Sequence, residues 1–425
     1  MENLKSYDIK HGIRLFYIPT KKFKTAAMSI NFHRALKKEE ASFNALLADV
    51  MRRGCKKYPD QASVMKLRQE LYGAYFDVDV RRKGEDQILS FSISAVNERF
   101  LPEGETAFTG ALDLLFEMIL NPLVADGAFK AEYVEQEKVN LKNDIDAVIN
   151  DKRAYATWRL IELMCKDEPY GVHELGDKES IDKITAESLY SHYEKVMSEG
   201  PVDVFVTGDV DIENIINVVK DKFSNITLTK TELPKAEIHK PAETETEIVE
   251  AFDVTQAKLC VGYSTGIMPT DADYPALMVY NGILGSGAHS KLFNNVREKL
   301  SLAYYAASRL DRYKGMMVVS SGIEIANKQK ALDEINVQLE DIKNGKISDY
   351  EFDATMKSII NALRALGDDI GYLEDYYLGQ ALSGTSLSLE DHIKLIEKVT
   401  VDDVVRVAKH IKPEMVYFLT GKEGK

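Results

Sequence analysis

The chain ends each of its two halves in the same way, and that duplication limits the available folds more than any single residue does. Ile184-Thr185-Ala186-Glu187-Ser188-Leu189 reads as the start of a helix, and Val202-Asp203-Val204-Phe205-Val206-Thr207-Gly208 as the strand after it. Farther on, Val399-Thr400-Val401-Asp402-Asp403-Val404 opens a helix and Met415-Val416-Tyr417-Phe418-Leu419-Thr420-Gly421 follows as a strand. In each copy a Thr suited to an N-cap starts the helix, and a β-branched and aromatic run closes in Thr-Gly. Thr400 and Asp403 approximate a capping box. Between the copies, residues 226–247 are polar, carry Pro234 and Pro241, and follow neither helical nor strand periodicity. They predict an extended linker, with one domain over residues 1–225 and a homologous one over 248–425.

Within each copy the order is strands, helices, then a closing strand. In the first, 12–19 and 25–32 read as strands, 38–56 as a helix, and Asp60 as the N-cap of another. Strands at 74–82 and 87–96 join through the turn at 83–86, and helical patterns cover 104–121 and 128–165. In the second, strands are expected near 257–264, 303–310 and 315–323, and helices near 272–284, 290–300, 327–345 and 348–380. Strand runs followed by helix runs give an α+β fold, a mostly antiparallel sheet in each half with helices on one face.

Composition narrows the function. A chain of 425 residues is too long for one ordinary core. The formal charge of −14 argues against nucleic acid, which needs a basic surface. No stretch approaches the roughly 20 apolar residues of a membrane span, and Met1–Asp8 is polar with no signal-peptide core. The three cysteines are single, without metal or disulfide spacing. A cytoplasmic, reduced protein is expected.

One segment is specific. Gly282-x-Leu284-Gly285-x-Gly287 leads into Ser290-x-Leu292-Phe293-x-x-Val296-Arg297-Glu298-Lys299 and then Leu302-Ala303-Tyr304. The glycines lack the Gly-Lys-Ser/Thr ending of a phosphate loop and read as a tight connection between two helices. An Arg before Glu-Lys and a Tyr in a strand are, alone, ordinary surface and core residues. Trp158 and the Tyr372–Tyr377 run likewise read as packing residues on helices. The long string resembles the transition-state-stabilising segment of the pitrilysin/insulinase family of zinc peptidases. That resemblance implies the two-halved α+β fold over the whole chain, and makes Arg297 and Tyr304 the pair that faces substrate and contributes to catalysis. One departure is Leu300-Ser301, where the family commonly has Arg-Gly; Ser would cost about 1 kcal/mol if a positive φ is needed there.

The family's inverted zinc motif, H-x-x-E-H, is missing. Counting back from Val50-Met51-Arg52-Arg53-Gly54, its five positions fall on Ala45, Leu46, Leu47, Ala48 and Asp49. Both histidines and the general base are replaced. A second family signature falls on Glu137-Lys138 and ends at Asp144, where the third ligand would be Glu. The eight histidines are isolated, with no pair at metal-ligand spacing. We therefore expect no metal bound by this chain, and a degenerate zinc site at Ala45, Ala48, Asp49, Glu137 and Asp144.

The resemblance implies a non-catalytic subunit, similar to those of bacterial processing peptidases. A homologous partner with H-x-x-E-H would hold the zinc, and Arg297 and Tyr304 would bind the peptide substrate. A scaffold or peptide-binding pseudoenzyme is the main alternative. A homodimer holding a hard metal at Asp49, Glu137 and Asp144 is the third.

Overall fold

A computed structural model describes residues 4–235 and 237–422. Met1–Asn3, at the polar start, and Ala236, inside the expected linker, lie outside the described residues. The chain divides into two compact units. The first comprises Met1–Asp146, Val172–Lys235 and Asp368–Gly379, and the second Ala147–Gly171, Ala236–Gly367 and Gln380–Lys425. Segments 147–171 and 368–379 thus each belong to the unit built mainly from the other part of the sequence.

The first unit contains strands β1 (Lys5–Lys10), β2 (Ile13–Pro19), β3 (Thr25–Ala35), β4 (Tyr75–Lys83), β5 (Asp86–Val96), a small ribbon of β6 (Val124–Ala125) and β7 (Ala128–Phe129), and β8 (Val202–Gly208). Its main sheet runs β1-β2-β8-β3-β5-β4. All neighbours are antiparallel except β2 and β8. The second unit holds β9 (Thr246–Phe252), β10 (Ala257–Ser264), β11 (Ala303–Asp311), β12 (Met316–Ile323) and β13 (Lys412–Gly421), ordered β11-β12-β10-β13-β9. Again one pair, β13 with β9, is parallel. Matching β2, β8, β3, β5, β4 to β9, β13, β10, β12, β11 gives one topology twice, so the duplication and the α+β class are both present.

The pleat explains which face is covered. In β3, Met28, Ile30 and Phe32 enter the core of the first unit, with Leu89, Phe91 and Ile93 of β5 and Val202, Val204 and Val206 of β8. The alternate residues, Ser29, Asn31, Ser90, Ser92 and Asp203, point to the opposite face. Helices Lys38–Arg52, Phe108–Leu120 and Ala186–Ser198 bring their apolar stripes to the core face. Both closing helices start on capping boxes, Thr185 with Ser188 and Thr400 with Asp403. Asp60 caps its helix with Ser63 in the same way.

Several expectations need correction. The pattern over 128–165 is two helices, Ala131–Asn150 and Lys152–Met164, because Asp151 accepts from the amides of Arg153 and Ala154 and starts a new N-terminus. The pattern over 348–380 likewise splits into Asp349–Leu366 and Ile370–Ser383, where Asp369 accepts from Gly371 and Tyr372. The first long helix ends at Arg52 rather than 56. Strand β9 reaches into the expected linker: its alternation is that of an exposed edge, with too little apolar content to read as a strand. Tyr376 and Tyr377 pack as expected, edge to face at 5.2 Å, whereas Tyr372 is exposed. No helix among the described residues is long and apolar enough to cross a membrane.

The polar face of the first sheet buries charge. Asp203 in β8 is fully enclosed and accepts two 2.9 Å bonds from Arg14. His33 of β3 lies between carboxylates, Nε2 3.2 Å from Asp203 and Nδ1 3.8 Å from Asp86, as an ion-pair contact rather than well-aligned hydrogen bonds. Burial works against its charge, but Asp203 and Asp86 override it and raise the imidazole to about 9. A pKa raised on folding gives stability that is fully present below the unfolded value of about 6.5 and lost as pH climbs through the folded one. We expect urea titrations to show His33→Gln less stable than the parent chain at pH 6, with the gap closing by pH 10. A gap that does not change with pH would refute the charged assignment.

Candidate functional site

In the second unit, the specific segment is laid down by close packing. A Cβ added to Gly285 would meet the backbone nitrogen of Ser308 at 2.3 Å, so helix Tyr274–Gly285 can end against β11 only with glycine there. Gly287 takes φ +113°, and the buried Ser290 hydroxyl donates to its carbonyl at 2.7 Å. The glycines are the tight connection the sequence indicated. The helix after them is not the α-helix expected over 290–300. Residues Leu292–Lys299 form a π-helix, with Leu300 N–H donating to Asn295 O at 3.1 Å, five residues back. Apolar spacing over eight residues cannot separate 3.6 from the wider π turn. Such turns concentrate at functional sites.

Arg297 lies in the last turn of that helix, its side chain 43% exposed, its Cζ 4.7 Å from the Phe293 ring centre and its Nε 3.4 Å from Glu298. Ser301 follows at φ +50°, the left-handed position that usually ends a helix in glycine. Strand β11 then starts with an irregularity: Ala303 pairs with Ile323 and Tyr305 with Gly322, leaving Tyr304 as the extra residue of a β-bulge. Bulges re-aim side chains, and Tyr304 is 60% exposed. The π-helix packs on β11, so both residues sit on adjoining elements with exposed side chains.

The expected degenerate zinc positions lie in the first unit, Ala45, Ala48 and Asp49 on helix Lys38–Arg52 and Glu137 and Asp144 on helix Ala131–Asn150. Ala45 and Ala48 are buried in its core and offer no ligand atom. Asp49 accepts from Arg52 at 2.9 Å, and Arg52 also lies 3.6 Å from Asp77. Glu137, on helix Ala131–Asn150, accepts from Arg53 at 2.7 Å and Asn140 at 2.9 Å. Arg53 is itself stacked 4.2 Å over Tyr133. Glu137 and Asp144 both add to the field at Asp49, so the three acidic positions share one neighbourhood. This donor set does not fit zinc: there is no nitrogen ligand, and Asp49 and Glu137 are engaged by guanidinium groups where a metal would supply the positive charge. Arg52 and Arg53 were missed as partners. Their place beside Asp49 on the helix was the available signal.

On the polar face of the first sheet is a recess of about 460 Å³, edged by Ser29, Ser92, Asp77, Asp79, Arg81 and Glu374. Arg81 reaches Glu374 at 3.1 Å and Asn31 at 2.7 Å, so its charge is paired inside the recess. Period-2 alternation could have identified this face, but not that residues 368–379 contribute to its wall.

Two variants test these assignments. Ser301→Gly relieves a left-handed serine and should stabilise the chain by about 0.5–1 kcal/mol in urea unfolding; a loss of stability would contradict the strain. At Asp49, burial pushes the carboxyl up to about 7, with Arg52 opposing and Glu137, Asp144 and Asp79 reinforcing it. Because this acid is raised on folding, its ionisation subtracts stability between the unfolded value of about 4 and pH 7. Asp49→Asn should therefore gain on the parent chain as pH rises from 4 to 7. Parallel stability curves would place Asp49 in an ordinary solvated setting.

Comparison with known proteins agrees with this geometry. Residues 183–359 match the family described as the peptidase M16 inactive domain. The probable inactive metalloprotease YmfF of Bacillus subtilis (strain 168) is 37% identical over 416 residues, 98% of this chain and 97% of its own. A conserved protein from Enterococcus faecalis V583 of known structure superposes with a TM-score of 0.93 at 33% identity, covering 100% of both chains. A peptidase M16 inactive domain from Pseudomonas fluorescens shares the fold, with a TM-score of 0.81 at 18% identity over 99% of each chain. With Ala45 and Asp49 at the expected histidine positions, Ala48 at that of the general base, and arginines on Asp49 and Glu137, this chain belongs to the M16, or pitrilysin/insulinase, family of zinc peptidases as a non-catalytic member.

Proposed function

We propose that this chain is the non-catalytic subunit of a two-chain zinc peptidase, giving Arg297 and Tyr304 to an active site whose metal is held by a homologous H-x-x-E-H partner. The observation that carries this reading is the exposure of both side chains on irregular backbone, a π-helix and a β-bulge, while the expected zinc-motif positions hold Ala45, Ala48 and Asp49 in place of two histidines and a glutamate. Backbone departures of this kind, a bulge at Tyr304 and a positive φ at Ser301, cluster where a side chain must be aimed at a ligand.

The chemistry asked of the pair is electrostatic. Attack on a peptide carbonyl builds negative charge on its oxygen, and a pre-placed hydroxyl or guanidinium donor stabilises that oxygen where water is excluded. Arg297 and Tyr304 supply such donors, and no cofactor is required of this chain for that role. The substrate is a peptide or unfolded segment. Strand β11 lies at the edge of its sheet, beyond β12, and leaves backbone groups for an extended chain to pair with. Three free, buried cysteines suit a reducing cytoplasm.

Peptide hydrolysis should be measured for this chain alone, for an H-x-x-E-H homologue alone, and for the two mixed with Zn²⁺. Activity is expected only in the mixture. Arg297→Ala or Tyr304→Phe should lower kcat by about 10²–10³ while the complex still assembles. Full activity of the partner alone, or of the mixture with both variants, would sink the proposal. Peptide binding without hydrolysis in any mixture would favour a peptide-binding pseudoenzyme instead.

A further inference from the structure

We infer that the second unit contains a structural site for a divalent metal of the zinc type, formed by Cys165, Glu168 and His239, separate from the family's degenerate position. The three come from distant parts of the sequence: Cys165 caps helix Lys152–Met164, Glu168 follows it, and His239 sits on the extended segment before β9. Their sulfur, oxygen and nitrogen ligand atoms lie within 4.8 Å of one another. Cys165 and His239 are buried, whereas the Glu168 side chain is 24% exposed and gives an ion a way in.

The distances suit a metal of this size. Cys165 Sγ is 3.8 Å from His239 Nδ1. Bonds of about 2.3 Å to sulfur and 2.05 Å to nitrogen at a tetrahedral angle would set these atoms about 3.5 Å apart. Glu168 Oε1 lies 2.5 Å from the same Nδ1 and must swing out to about 3.3 Å to share an ion with it, which a partly exposed side chain can do. Its other oxygen, Oε2, pairs with Lys314 at 2.5 Å, so one oxygen is anchored and the other faces the imidazole.

The second observation is the support behind the histidine. Glu414 of β13 is buried, and its Oε1 lies 2.8 Å from His239 Nε2, while its Oε2 has no hydrogen-bond partner. A carboxylate receiving Nε2–H leaves Nδ1 as the free lone pair, aimed at Cys165 and Glu168. Metal-binding histidines almost always donate their other ring N–H to a carboxylate, a backbone carbonyl or water, and Glu414 is such a partner. Charge also balances. Without metal, Glu168 and Glu414 are offset by Lys314 and a protonated His239. Binding one divalent cation displaces the Nδ1 proton and the Cys165 thiol proton to solvent, and the formal charge of the enclosed cluster is unchanged. Mixed sulfur, nitrogen and carboxylate ligands select zinc-type ions over calcium or magnesium. Such a site would tie the segment around His239 to the end of helix Lys152–Met164.

The test uses the full chain, stripped with chelator, reloaded with Zn²⁺ or Co²⁺ and desalted. We expect one metal per chain and, with Co²⁺, a thiolate-to-metal charge-transfer band. Cys165→Ser should abolish that band, Cys260→Ser should leave it, and Glu414→Gln should weaken binding about 10- to 100-fold. If Cys165→Ser does not fold, His239→Asn serves with the same expectation. No retained metal, or a Co²⁺ spectrum without a cysteine band that Cys165→Ser leaves unaltered, overturns the site and leaves a buried ion network of Glu168, Glu414, Lys314 and protonated His239.

Discussion

In each unit the last strand of the repeat inserts between the first two, parallel to one neighbour and antiparallel to the other, and the rest of the unit is arranged around it. A strand in that place has both edges hydrogen-bonded, and every residue of β8 is buried. It therefore accepts only apolar side chains or fully paired polar ones. Val202, Val204 and Val206 satisfy the core side, while Asp203 is tolerated because Arg14 and His33 surround it. Removing one partner would leave a buried charge uncompensated, which costs far more than the pair contributes. In the second unit Tyr417 of β13 follows the same logic, donating to Glu250 at 2.9 Å.

The positions expected for the zinc motif meet the same constraint. Ala45 and Ala48, at the expected positions of the first histidine and the general base, let that helix face close as ordinary core, and the acidic residues nearby need positive charge from somewhere. Arg52 and Arg53 provide it, one on Asp49 and one on Glu137. The compensation is incomplete at Asp49, whose carboxyl is pushed well above its usual range by burial and by its acidic neighbours. A guanidinium offers directed hydrogen bonds and one charge, whereas a divalent ion offers two charges to every ligand at once.

The segment around Arg297 departs from local rules three times within a short run: a π-helix, a left-handed serine and a bulge. Natural chains concentrate such departures where function requires a particular side-chain direction. Gly285 shows the cost of the placement, since the backbone of β11 leaves no room for even a methyl group.

Much of this was legible from the order of residues. The Thr N-caps at 185 and 400, the β-branched closing strands and the period-2 alternation of β3 and β5 are set by local sterics and hydrogen bonding, so the sequence alone determined the duplicated α+β unit, and the motif around Arg297 determined the family. Helix ends at Asp151 and Asp369 were harder, because a capping carboxylate inside an apolar pattern reads as one more polar position. What only the tertiary structure decided is the company each charged group keeps. Arg53 on Glu137, His33 between Asp203 and Asp86, and Cys165 beside His239 are pairs separated by tens of residues or more, and their meeting depends on which strand lies next to which. Spacing along a chain fixes direction on an element; only the packed sheet fixes distance between elements, and electrostatics depends on distance.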